Sequence, residues 1–96
     1  MYNYTGTKQA IGSASTLIKA ANLNRHVLIL QNDSDEAIYI KLGAAAVMSE
    51  GILLTPKSAT DSGASRITLV GELNFTGAIY GICTSGSKNL TIAEGL

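Results

Sequence analysis

The sequence predicts an all-β domain: a small antiparallel β-sandwich or barrel, jelly-roll-like, of seven or eight short strands with an extended N-terminal arm. Three observations predict it. Short apolar, β-branched runs recur roughly every ten residues between clusters of Gly, Ser, Asn and Asp. No long stretch keeps a helical period. Arg25 to Leu42 (RHVLILQ-NDSDE-AIYIKL) sets two apolar arms around five polar residues, the pattern of an antiparallel hairpin with a turn longer than the tight two-residue type. In its second arm Ile38, Ile40 and Leu42 point one way and Ala37, Tyr39 and Lys41 the other. In its first arm Val27, Leu28, Ile29 and Leu30 are apolar on both faces, as in a strand that is central in a sandwich or covered by another subunit.

The other elements follow in order. Residues 1–13 show no sustained period and read as an N-terminal arm, either frayed or packed on a neighbouring subunit, ahead of a single domain over 14–96. Ser15–Ala21 is a short strand, and Asn22 to Asn24 turn the chain. GAAAVMSEG after Leu42 is an irregular crossing, too short and too flanked by glycine for a helix. Gly51 opens a strand (GILLT) that Pro56 stops, and residues 56–66 form a long surface loop. Ile67–Val70 continues into Leu73–Phe75 with a bulge or turn at Gly71. Gly77–Thr84 puts Ala78, Tyr80 and Ile82 on one face, and its glycines leave room for a close neighbour on the other. SGSKN turns the chain into a last strand, Leu90–Glu94.

Ninety-six residues make one domain. Apolar residues reach 46%, yet only 5% are aromatic, so the core has to come from Ile, Leu, Val and Ala. Charged residues are only 15%, against about 25% in an average soluble domain. So weakly charged a surface is expected to be buried in part by a partner. The net charge is zero and the basic residues are scattered singly, so nucleic acid is not expected as a partner. No apolar run is long enough for a membrane helix, and the first residues lack the pattern of a secretory signal. Cys83 is the only cysteine and sits in an apolar strand, where inert packing is expected. The sequons at Asn3, Asn32, Asn74 and Asn89 read as coincidences of an Asn- and Thr-rich β protein.

No enzyme, cofactor or metal is expected. Asn32–Glu36 is the one acidic cluster, but it lacks the Gly and Glu that an EF-hand loop requires, and turn chemistry explains it. His26 is the only histidine, too few for a His-based metal site. Thr84–Asn89 (TSGSKN) fits neither a nucleophile elbow nor a phosphate-binding loop. Glu50, Asp61, Glu72 and Glu94 are isolated in sequence.

Two runs, LILQNDSDEAIYIKLGAAAVMSEGILLTPKSA and TGAIYGICTSGSKNLTIAEG, carry a resemblance. The first holds an N-x-S-D-x-x-I-Y-I/L-x-L/F-G stretch (Asn32 to Gly43) and then G-I-x-L (Gly51 to Leu54). The second holds T-G-x-I/V-Y-x-I (Thr76 to Ile82) and L-x-V/I-x-E-G (Leu90 to Gly95). In order and spacing, over about two-thirds of the chain, this resembles small bacteriophage virion structural proteins of the capsid decoration (cement) or head- or tail-attached type. The resemblance implies a virion protein, made in the host bacterial cytoplasm, that binds the major capsid protein at subunit junctions and stabilises the head. It also implies a homo-oligomer, with a trimer favoured. The partner-contact candidates are Tyr2 and Tyr4 in the arm, and Lys57, Asp61 and Arg66 in the long loop. The alternative is a receptor- or glycan-binding module of a phage tail or head fibre, with Tyr39 and Tyr80 as its aromatic contacts.

Overall fold

In a computed structural model, residues 4–56, 66–70 and 74–96 are described. They contain eight strands and no helix: β1 (Tyr4–Ile11), β2 (Thr16–Lys19), β3 (Val27–Asn32), β4 (Ile38–Leu42), β5 (Ile52–Leu54), β6 (Arg66–Val70), β7 (Ile79–Cys83) and β8 (Lys88–Gly95). Two four-stranded sheets form, in the orders β1-β8-β3-β6 and β2-β7-β4-β5, and every neighbouring pair is antiparallel. We refer to these as the first and second sheets. The pairs β1–β8, β2–β7, β3–β6 and β4–β5 are those of one long hairpin rolled into two layers.

Strand alternation builds the core between the layers. Leu28 and Leu30 of β3, Leu90 and Ile92 of β8, Leu69 of β6 and Ile11 of β1 face inward from the first sheet. Ile18, Ile38, Ile40, Leu54, Ile79 and Cys83 meet them from the second. Leucine and isoleucine carry the interior, and valine and alanine add little to it. Gly81 faces the core between two isoleucines of neighbouring strands: a Cβ there would stand 2.9 Å from Ile18 Cδ1 and 3.4 Å from Ile40 Cδ1. The room left by Gly81 is taken chiefly by side chains of the two strands beside it in the same sheet, with Ile11 of the facing layer at 3.5 Å.

The expected hairpin over Arg25–Leu42 does not form. β3 belongs to the first sheet and β4 to the second, and residues 33–37 carry the chain from one layer to the other. Two apolar arms around a polar link fit both arrangements, because in either case each arm needs one buried face. The polar link decides between them. The Asn32 side chain is fully buried and donates through Nδ2 to the carbonyls of Glu36 (2.8 Å) and of Leu54 in β5 (2.9 Å). Ser34 Oγ donates to Asn32 Oδ1 at 2.6 Å, and the same hydroxyl lies 2.9 Å from the Glu36 carbonyl. Asn32 thus ends a strand of one sheet while bonding to the backbone of the other.

Two further expectations are corrected. Residues 4–11, expected to belong to an arm, are an edge strand paired with β8 from Tyr4↔Gly95 to Ile11↔Lys88. Asn74 and Phe75, expected in a strand, lie in irregular chain, with Phe75 packed against the core. The segment after Leu42 is irregular, as expected. Of the loop over 56–66, residues 57–65 lie outside the described residues, and so does Gly71.

Candidate functional site

Two polar clamps close the two ends of β3. Asn32 is one of them. The other is Arg25, just before the strand, a fully buried residue. Its Nε donates to Glu94 Oε2 at 2.8 Å, its Nη1 to the carbonyls of Phe75 (2.9 Å) and Gly77 (3.2 Å), and its Nη2 to the carbonyl of Ala20 (2.7 Å). One guanidinium thereby ties the link that leaves β2, the link that enters β7 and the end of β8. Asn74 adds a bond from Nδ2 to the Arg25 carbonyl at 2.7 Å.

Glu94 also accepts from Lys19 Nζ at 3.3 Å. Burial pushes its carboxyl up, but the hydrogen bonds from Arg25 and Lys19 outweigh that and hold it below its ordinary value of 4.5. Sequence reasoning left Arg25 and Glu94 aside. They stand 69 residues apart, and only the β3–β8 register, with Val27 opposite Gly95, brings them together.

A looser polar group holds the link at the other end. Glu36 Oε1 accepts from the Ser85 backbone N–H at 2.7 Å, which keeps its carboxyl below the usual value. Lys88 pairs with Asp35 at 2.8 Å, which raises the Lys88 ammonium. Gly86 and Ser87 adopt φ of 79° and 56° in the turn between β7 and β8. Cys83 is fully buried and its thiol donates to the Ile11 carbonyl at 3.3 Å. Among the described residues, no three His, Cys, Asp or Glu side chains gather as a metal-binding group.

With Arg25, Asn32, Ser34 and Glu94 all engaged inside, the surface chemistry lies on the outer sheet faces. On the second sheet, β4 and β7 place Tyr39 opposite Ile82 and Lys41 opposite Tyr80. Leu17 of β2 lies beside Tyr80, and Leu53 of β5 beside Tyr39. Leu17 and Leu53 are 46% and 45% exposed, and both tyrosines are half-buried. The structure thus brings Tyr39 and Tyr80 together as diagonal neighbours on an apolar face whose one charged group, among the described strand residues, is Lys41.

The other candidates lie apart from that pair. Arg66 opens β6 and faces outward on the first sheet beside Gln31. Tyr4 begins β1 opposite Gly95. Tyr2, Lys57 and Asp61 fall outside the described residues. Comparison with known proteins returned no matching family model, no matching curated protein and no matching solved structure.

Proposed function

We propose that this chain is a non-catalytic structural protein of a bacteriophage particle, a decoration protein that binds the outer shell where capsid subunits meet and stabilises the head. One observation carries the reading. The buried residues Arg25, Asn32, Ser34 and Glu94 bond within the fold at the two ends of β3, while Leu17, Leu53, Tyr39 and Tyr80 lie on the outer face of the second sheet. This is the build of a docking scaffold. The motifs from Asn32 to Gly43, Gly51 to Leu54, Thr76 to Ile82 and Leu90 to Gly95 support the same reading. We also take the rolled-hairpin strand order as that of a jelly roll, an architecture that recurs in viral capsid and lectin domains. Fold alone does not fix function, so the assignment rests on the surface and on the motifs.

A protein that binds the assembled shell and not free subunits stabilises that shell by mass action. The test is to add the purified chain to heads stripped of it and measure binding and thermal rupture. Saturable binding to heads with a raised rupture temperature is the expected result, and no sedimentation with heads would refute the proposal. The second reading, a receptor- or glycan-binding module, is favoured by the placement of Tyr39 and Tyr80 as diagonal neighbours on one face. Saturation-transfer NMR against a panel of bacterial surface glycans tests it, with transfer to the tyrosine ring protons expected if it holds.

A further inference from the structure

β1 is held unevenly along its length. Among the described strands it pairs on one side only, with β8, in unbroken register from Tyr4↔Gly95 to Ile11↔Lys88. A strand covered by a second layer buries every other residue, yet Thr5, Gly6, Thr7 and Lys8 are all exposed. β2, the strand that follows β1 into the second layer, has four residues against the eight of β1. The first half of β1 is open to water on both faces, and main-chain pairing with β8 is what holds it.

The other end is latched. Ile11 is fully buried and belongs to the core. Beside it stands Cys83 of β7, also fully buried, whose thiol donates to the Ile11 carbonyl at 3.3 Å and lies 3.6 Å from the Gly12 carbonyl. The Cys83 backbone N–H donates to that same Gly12 carbonyl at 3.1 Å. Thr16 Oγ1 closes the corner, accepting from the Gly12 N–H at 2.9 Å and donating to the Ala14 carbonyl at 3.0 Å. The chain thus leaves β1 through a corner fastened to the second sheet, with the sulfur lying against the last carbonyl of the strand.

We propose that β1 is a strap that opens from its Tyr4 end in two stages. Residues 4–8 peel from β8 while the sandwich stays whole, because none of Thr5 to Lys8 contributes a buried side chain. Residues 9–12 stay in place until Ile11 leaves the core, and this second, local opening is what uncovers the Cys83 thiol. The neighbours of Cys83 within its own sheet are firmer. β4 pairs along β7 with Ile38 opposite Cys83, and β2 flanks the other side. These strands supply Ile18, Ile38 and Ile40 to the core, so they separate after β1 does. The strap is a property of the fold and is independent of the decoration reading.

Thiol labelling and hydrogen exchange on the full chain test it. N-ethylmaleimide adds to Cys83, the only thiol of the chain, and its rate is followed in urea below the unfolding transition. The rate is expected to rise with urea far less steeply than the equilibrium unfolding constant, because a local opening exposes little surface. Ile11→Val should speed labelling about two- to tenfold. Leu69→Val, in the edge strand farthest from β1 in the first sheet, should lower global stability and leave labelling unchanged. Deuterium exchange, read on the chain without substitutions, should be about a hundredfold faster at the amides of residues 5–8 that bond β8 than across β3. Labelling that tracks global unfolding, labelling accelerated by Leu69→Val or indifferent to Ile11→Val, or amides of residues 5–8 as protected as those of β3 would each overturn the proposal.

Discussion

The Arg25 guanidinium and the Glu94 carboxylate meet at 2.8 Å inside the protein, one just before β3 and the other near the end of β8. A buried pair of this kind adds little over an apolar replacement of both partners, but removing Arg25 alone leaves Glu94 with only Lys19 and takes the donors from the carbonyls of Ala20, Phe75 and Gly77. Arg25→Met should therefore cost about 3–5 kcal/mol of stability by urea denaturation. The double variant Arg25→Met/Glu94→Leu should cost clearly less than the sum of the two single changes. Strict additivity would mean that the pair is not coupled.

The same contact sets a pH dependence. Glu94 has a lowered carboxyl in the folded chain, so its contribution is complete above the ordinary value of 4.5 and is lost as the pH falls through the lower folded value. Melting temperatures measured on acidification should fall through that window. Glu94→Gln should start less stable and show a shallower acid limb. An unchanged acid limb in that variant would assign the transition to other carboxylates.

Asn32 carries the crossing between the layers with a single amide. Asn32→Ala leaves the Leu54 carbonyl without this donor, while the Glu36 carbonyl keeps the Ser34 hydroxyl at 2.9 Å, and should cost about 1–3 kcal/mol. Asn32→Asp should be worse, since it removes the donor and adds a buried charge. The buried side chain also excludes Asn32 as a glycan acceptor in the folded chain.

Two glycines differ in kind, and their alanine variants should differ in size of effect. Gly51 holds φ of 88°, and a Cβ there would run into the Ile40 carbonyl oxygen, which is backbone and cannot yield. Gly51→Ala should cost more than about 2 kcal/mol. Gly81→Ala meets only the mobile ends of Ile18 and Ile40 and should cost about 1–3 kcal/mol. Thermal denaturation of both variants checks the order.

Most of the strands were legible because their inward positions are Ile or Leu at a period of two, as in Ile38-Tyr39-Ile40 and Leu90-Thr91-Ile92. β1 was not. Only Ile11 of that strand belongs to the core, and the alternating positions behind it are Gln9, Thr7 and Thr5, so an edge strand held by main-chain bonds leaves no apolar period. The crossing at Asn32 is not legible in the sequence, since local residues specify a polar link without saying which layer the chain enters next. The Arg25–Glu94 clamp was invisible because register, a property of the assembled sheet, creates it. The aromatic rings of Tyr39 and Tyr80 are plain in the sequence, and the β4–β7 register is what makes them neighbours.

The copy number of this chain in purified particles from its source, measured by quantitative mass spectrometry, tests the proposed decoration role most directly. Hundreds of copies per particle are predicted for a decoration protein spread over the shell. A few copies would move it to the neck, tail or fibres, and its absence from the particle would contradict the account.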